Sequence, residues 1–155
     1  MNMKELYSRL GDYRSIMEFN TPISSDALIH FEISNGVKLP EKYKILLTMF
    51  NGGELFVPGT TIFGLGLCEK FDLKYANRSS LRMQFHIPNN YLIFGKVNYG
   101  DFLCVNINTP YDVIQWDHEN DEVFCSWASI EEWLDDTITE YEKYEKVMHE
   151  SYDVE

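Results

Sequence analysis

The sequence has few cysteines, no long apolar run and no recognisable leader segment. Its three cysteines, Cys68, Cys104 and Cys125, are far apart and lack the spacing of metal ligands, so we expect reduced, buried thiols. No stretch approaches the roughly 18 apolar residues of a membrane span, and the N-terminus lacks the apolar core of a signal peptide. These absences predict a cytoplasmic protein.

Positive charge is missing from one long interval. The chain has 25 acidic and 13 basic residues and a net charge of −12, yet no Lys or Arg lies between Lys96 and Lys143, where there are twelve acids. The excess negative charge therefore belongs to the C-terminal part. Such a charge distribution repels nucleic acids and acidic membranes and speeds association with a basic partner. Solubility alone would also explain the acidity, and both explanations stay open at this point.

Motifs for catalysis and cofactor binding are also missing. No Gly-x-Ser-x-Gly elbow presents a nucleophile. Residues 63–66 (FGLG) contain glycines but precede no helix that begins with Lys and Ser or Thr, which argues against a phosphate-binding loop. The sequence therefore predicts no enzyme activity, no catalytic residues and no cofactor.

The most informative stretch is residues 39–53, LPEKYKILLTMFNGG. Pro40 suits the first position of a helix, where its missing N–H costs nothing. An apolar stripe at i, i+3, i+4 and i+7 consists of Tyr43, Leu46, Leu47 and Phe50. The Asn-Gly-Gly at residues 51–53 favours the left-handed conformation that ends a helix. We therefore predict an amphipathic core helix with a sharp end.

Three further helices are predicted. Residues 3–14 have one apolar side, although Gly11 can end that helix early. Ser24 or Ser25 caps the next helix, and Asn35-Gly36 ends it. Its predicted buried side consists of Leu28, Ile29, Phe31 and Ile33. A Ser-Ile-Glu-Glu capping box at residues 129–132 begins a long final helix. The predicted buried stripe of that helix consists of Ile130, Trp133, Leu134, Ile138, Tyr141 and Met148.

The middle of the chain favours strands joined by short turns. β-branched and aromatic residues are frequent in residues 91–97, 102–107, 113–116 and 123–126, with shorter candidates at 55–57 and 61–65. Residues 69–83 are ambiguous, and one or two helical turns around Phe71, Leu73, Tyr75 and Ala76 are compatible with them. Short connections between successive strands favour an antiparallel meander. We predict an α+β fold, a single domain over residues 1–155 in which N-terminal helices and a long C-terminal helix cover one face of the sheet.

Four motifs, in this order, resemble those of the SUKH superfamily, which takes in bacterial immunity proteins and fungal cell-wall-synthesis regulators. The stretch at 39–53 is followed by YGDFLCV at 99–105, VIQWDHE at 113–119 and ASIEEWL at 128–134. The resemblance is strongest over residues 24–141. Two positions depart from it: Asn106 stands where many members carry an acid, and Trp133 where Phe is more usual.

The resemblance implies a SUKH-like, non-enzymatic binding domain with one of two roles. The first is an immunity protein that binds and neutralises a bacterial polymorphic toxin. The alternative is an intracellular scaffold or regulator related to cell-wall synthesis signalling. Together with the acidic C-terminal part, the first role predicts a protein partner with a basic surface, such as a nuclease-type toxin domain. No nucleic acid or membrane partner is predicted, and the sequence indicates no particular oligomeric state.

The candidate binding residues are acids and tyrosines near the predicted turns. Residues 117–122 (DHENDE) form the densest acidic cluster, but they lack the Asp-x-Asp-x-Asp-Gly order of a calcium loop, so we predict no metal site there. A solvated hairpin turn and a partner-facing acidic tip are both compatible with this cluster. The predicted partner-binding residues are Tyr99, Asp101, Tyr111, Asp112, Asp117, Glu119, Asp121 and Glu122.

Overall fold

In a computed structural model that describes residues 2–57 and 59–153, helices flank one antiparallel sheet. Residues 1, 58, 154 and 155 of the predicted domain lie outside the described residues. The α-helices are α1 (Met3–Leu10), α2 (Ser25–Asn35), α3 (Glu41–Met49), α4 (Leu73–Ala76), α5 (Ser79–Gln84) and α6 (Ile130–Asp153), and 3-10 helices cover Gly11–Ile16 and Glu69–Phe71. The strands are β1 (Glu18–Phe19), β2 (Gly53–Leu55), β3 (Thr60–Ile62), β4 (Tyr91–Val97), β5 (Phe102–Asn106), β6 (Val113–Asp117) and β7 (Glu122–Trp127). The predicted α+β class is confirmed.

The sheet is a meander in which each strand pairs antiparallel with the strand before it, in the order β1 to β7. The predicted antiparallel connectivity is therefore confirmed. Strand β1 was not predicted; it pairs with Gly53 and Glu54. Strand β2 ends at Leu55, earlier than predicted, because Phe56 has a φ of +52°, which interrupts an extended backbone.

The core lies around α3, as its sequence predicts. The four residues of the predicted stripe are all buried: Tyr43, Leu46, Leu47 and Phe50. The rings of Tyr43 and Trp133 both contact Phe94 of β4 edge-on, with centroids 6.1 and 5.3 Å away. The Tyr43 hydroxyl donates a hydrogen bond to the carbonyl of Phe63, so this buried polar group has a partner.

The predicted buried side of α2 is partly wrong. Ser24 caps the helix and Gly36 ends it in the left-handed conformation, as predicted. Leu28 is buried and Phe31 packs against the core, but Ile29 and Ile33 are 54% and 76% exposed. The reason is the helical period: at about 100° per residue, Leu28 and Phe31 share one face, while Ile29 and Ile33 share another.

Helix α6 is buried only along its first half. The predicted capping box is half formed: Ser129 Oγ accepts from the Glu132 N–H, but the Glu132 carboxylate accepts from the N–H of Ala128 instead of that of Ser129. The prediction that Met148 is buried is wrong. A helix of 24 residues is about 36 Å long, whereas strands of at most seven residues span about 23 Å, so the last turns extend past the sheet. No helix in the described parts of the chain is long and apolar enough to cross a bilayer.

A second layer covers the other face of the sheet, so the prediction of a one-faced sheet is wrong. All four residues of Phe102–Val105 in β5 are buried. The segment that the sequence left ambiguous forms α4 and α5, and Arg82 fixes it to β4 by donating hydrogen bonds to the carbonyls of Pro88 (2.8 Å) and Tyr91 (2.6 Å). These two bonds are made by one long side chain across a turn, and helical or strand periodicity carries no signal for them.

The three cysteines are free but occupy different environments. Cys104 is fully buried in β5, and its burial raises the pKa of the thiol to about 12. Cys125 is half-buried, and Cys68 is exposed. The expectation of buried thiols is therefore confirmed for Cys104 and wrong for Cys68.

Candidate functional site

The meander divides the predicted binding residues between opposite ends of the sheet. Phe102 pairs with Trp116 at the end that carries the β4–β5 and β6–β7 connections, whereas Val105 pairs with Val113 at the end that carries the β5–β6 connection. At the first end lie Tyr99, Asp101, Asp117, Glu119, Asp121 and Glu122, and at the second end lie Tyr111 and Asp112. Because β5 spans about 17 Å, the set does not form one compact surface.

Asp101 is buried, and its carboxylate is bonded to groups within the fold. It is 5% exposed, and its carboxylate accepts hydrogen bonds from the Gln115 amide (2.9 Å) and the His118 backbone N–H (3.1 Å) and lies 2.6 Å from His118 Nδ1. Gly100 makes this approach possible, because a Cβ there would lie 2.9 Å from the His118 ring. We therefore correct its predicted role: Asp101 ties the β4–β5 turn to the β6–β7 turn.

Asp117 shapes the acidic turn. Its Oδ1 accepts hydrogen bonds from the backbone N–H groups of Glu119 (2.9 Å) and Asn120 (3.2 Å), and its Oδ2 accepts from the Asn120 amide (2.9 Å). These bonds, that of the Asn120 side chain first, lower the pKa of Asp117. Asp121 adopts a φ of +52° and lies 2.7 Å from His86 Nδ1. The β6–β7 turn is therefore stabilised by hydrogen bonds to its own acidic side chain, that of Asp117.

Three side chains of this end have the spacing of a possible cation site. Asp101, Asp117 and His118 each offer one ligand atom, and these atoms lie within 4.8 Å of one another. These side chains already form hydrogen bonds within the fold, since Asp101 is bonded to His118 and Asp117 closes the β6–β7 turn. A cation would have to replace these hydrogen bonds, so the absence of a metal site stays our prediction.

The exposed part of this end combines acids with apolar side chains. Glu119 and Glu122 are exposed, and Tyr99 is exposed with its hydroxyl accepting from the Gln115 amide at 2.8 Å. The next residues of edge strand β7, Val123 and Phe124, are 49% and 66% exposed. We call this patch the hairpin-end surface and define it by Tyr99, Asp117, Glu119, Asp121, Glu122, Val123 and Phe124.

Sequence reasoning missed the contribution of β7. Successive residues of the strand pair Trp116 with Val123 and Gln115 with Cys125, so Phe124 is the extra residue of a β-bulge. A run of apolar residues in the strand predicts burial, and only the terminal position of β7 in the sheet exposes them. The sequence did contain one signal for this exposure: β7 is the last strand of the predicted meander, and the last strand of a meander lies at the edge of the sheet.

At the opposite end, Asp112 is largely used within the fold. It accepts hydrogen bonds from the Tyr91 hydroxyl and from the Asn106 amide (3.0 Å). Burial opposes ionisation, but these hydrogen bonds outweigh it, and the pKa of Asp112 is lowered. Asn106 is the position where many superfamily members carry an acid; here it is a donor to a carboxylate. Tyr111 remains partly exposed, with a φ of +57°.

Part of the C-terminal acidity is neutralised within the fold. Arg9 of α1 contacts Asp135 (2.6 Å) and Glu142 (2.5 Å) of α6, and Lys42 of α3 lies 3.4 Å from Glu131. Glu119 and Glu122, in contrast, have no Lys or Arg within 4.0 Å among the described residues. Glu119 and Glu122 are therefore two exposed acids of the C-terminal part that no Lys or Arg neutralises among the described residues.

Comparison with known families agrees with this fold. The sequence model of the SMI1 / KNR4 family (SUKH-1) matches residues 22–136, which contain α2 to β7 and the start of α6. No curated protein matches the chain in sequence. Because the family match covers most of the chain, this protein belongs to the SMI1 / KNR4 family (SUKH-1), whose members are generally non-enzymatic binding proteins.

Proposed function

We propose that this protein is an immunity protein that binds a bacterial toxin domain and neutralises it without catalysis. Family membership is consistent with such a role. The observation that carries the proposal is the hairpin-end surface, where the exposed acids Glu119 and Glu122, which have no Lys or Arg partner among the described residues, share one hairpin with the exposed Phe124. The partner that fits this surface is a toxin domain with basic residues around an apolar patch.

The two kinds of side chain have different roles in this proposal. Acids at the rim of an interface chiefly raise the association rate with a basic partner. Aromatic side chains supply most of the binding energy when a partner covers them, and Phe124 and Tyr99 are placed to do so. The outer edge of β7 adds backbone groups that can pair with a strand of the toxin domain.

The proposal is tested by capture followed by a toxicity assay. The immobilised protein captures partners at low salt from lysates of close relatives of the source organism, and each captured domain is then expressed alone and together with this chain. We expect one domain to stop growth when expressed alone and growth to recover on coexpression. Captured domains that are harmless, or whose toxicity this chain does not relieve, would contradict the proposal; salt-insensitive capture of a cell-wall or signalling protein would favour a scaffold.

A matched pair of variants tests the surface. Phe124→Ala removes the proposed anchor, and Ile33→Ala removes a similarly exposed apolar side chain on α2. For an anchor, the expected loss of affinity for the toxin domain is about tenfold or more, whereas the Ile33 variant binds as the unmodified protein does. Equal affinities for both variants would remove Phe124 from the interface.

A further inference from the structure

A groove lies on the α4–α5 side of the sheet, apart from the hairpin-end surface. It has a volume of about 430 Å³ and lies between strands β2 to β5 and residues 63–81, which follow β3 in the sequence. We call it the basic groove and define it by Lys70, Tyr75, Arg78, Lys96 and Phe102. Its volume lies in the range of about 300–1,000 Å³ that is typical of small-ligand sites.

The groove is located in a basic part of an acidic chain. Residues 55–100 contain five Lys or Arg and two acids, although the whole chain has a net charge of −12. Among the described residues, no carboxylate lies within 4.0 Å of the side-chain nitrogens of Lys70, Arg78 or Lys96. Glu54 and Glu69 also line the groove without pairing with these cations. The cations are therefore available to an anionic ligand.

Aromatic rings place these cations beside an apolar surface. The Arg78 guanidinium carbon lies 4.0 Å from the Tyr75 ring centroid, and its Nη1 donates to the Tyr75 carbonyl, so the guanidinium is held in place. Lys96 Nζ lies 5.9 Å from the ring centroid of Phe102, a buried residue in the sheet. A ligand that fits such a groove carries carboxylates next to an apolar or aromatic side chain.

We propose that the basic groove binds an acidic peptide segment of a partner protein. A peptide satisfies both features, since its carboxylates reach Lys70, Arg78 and Lys96 and its apolar side chain lies against Tyr75, which is 38% exposed. A nucleic acid is a poorer fit, because the acids elsewhere on the chain repel a long polyanion. This site has the opposite charge preference to the hairpin-end surface and does not depend on the toxin proposal.

The experiment uses a capped six-residue peptide in which acidic residues alternate with Phe and Leu, and a reference peptide with amides in place of the acids. Titration calorimetry at about 50 mM salt should show the acidic peptide binding about tenfold more tightly than the reference, and added salt should reduce the difference. Inorganic phosphate at the same concentration should not displace the peptide. Equal binding of the two peptides, or displacement by phosphate, would overturn the proposal.

Two double variants locate the site. Lys70→Gln/Lys96→Gln removes two groove cations, and Lys4→Gln/Lys38→Gln removes the same charge from exposed positions elsewhere. The groove variant should lose the preference for the acidic peptide, and the control should keep it. If both variants lose it equally, the preference reflects net charge and the groove is not the site. Thermal melting of all variants checks that these surface changes leave the fold intact.

Discussion

Replacing Asn51 by Ala should strongly destabilise the fold. Asn51 is buried at the end of α3, where its amide donates to the Leu65 carbonyl (2.9 Å) and its Oδ1 accepts from the Leu65 N–H (2.8 Å). The substitution leaves both buried backbone groups of Leu65 without partners, and each such group costs about 1–3 kcal/mol. We therefore expect the free energy of unfolding to fall by about 2–6 kcal/mol, a large part of the 5–15 kcal/mol that is usual.

Urea-induced unfolding measures this change. The Asn51→Ala variant should unfold at lower urea with an unchanged slope. Asn89→Ala, which alters an exposed Asn, is the control and should stay within about 0.5 kcal/mol. Asn51→Asp keeps the acceptor for the Leu65 N–H but places a carboxylate against the Leu65 carbonyl, so it too should be destabilised. A change below about 0.5 kcal/mol for Asn51→Ala would refute the reasoning.

Three further predictions follow from burial, backbone conformation and charge. In the folded protein a thiol reagent should modify Cys68 and leave Cys104, whose burial raises its pKa to about 12, unmodified until the chain unfolds; equal labelling rates would contradict this. Gly52→Ala should lower the melting temperature, because Gly52 has a φ of +73° and its Cβ would lie 2.7 Å from backbone atoms, whereas Gly11→Ala, with open space around it, should not. The hydrogen bond from Arg9 lowers the pKa of Asp135, so this pair stabilises the fold above about pH 4 and loses its effect as the pH falls below that. Asp135→Asn should therefore lower the free energy of unfolding at pH 6 and leave it almost unchanged at pH 2. A loss of stability that does not depend on pH would contradict this prediction.

Local patterns in the sequence predicted local features well. The apolar stripe of α3 and the bounds of β4 agree with the structure because they depend on neighbouring residues. The ends of α3 differ slightly: Pro40 lies one residue before the helix, and the helix is followed by Phe50 in an extended conformation instead of the predicted left-handed one. The α2 prediction is wrong at Ile29 and Ile33 because these two residues lie on a different face of the helix from the buried Leu28. The sequence allowed helical turns in the segment that forms α4 and α5, but the bonds from Arg82 that hold this segment to β4 follow from no helical or strand period.

The candidate site was predicted in composition but not in arrangement. The turn at residues 117–122 was found from its acids, yet Asp101 in the neighbouring turn is buried and Asp112 lies at the other end of the sheet. The antiparallel connectivity was already sufficient to separate the two ends, since successive turns of a meander alternate between them. Burial of Asp101 was not predictable, because it depends on Gln115 and His118 from the adjacent strand and turn.

The most direct measurement of the central proposal is the association rate with the toxin domain that the toxicity assay identifies. Glu119→Lys/Glu122→Lys reverses two exposed acids of the hairpin-end surface, and Asp12→Lys/Asp26→Lys makes the same charge change at exposed positions elsewhere. At low salt the hairpin-end variant should associate at least about tenfold more slowly, and the control should change far less. Equal rates for the two variants would show that the toxin domain binds another surface and would contradict the account.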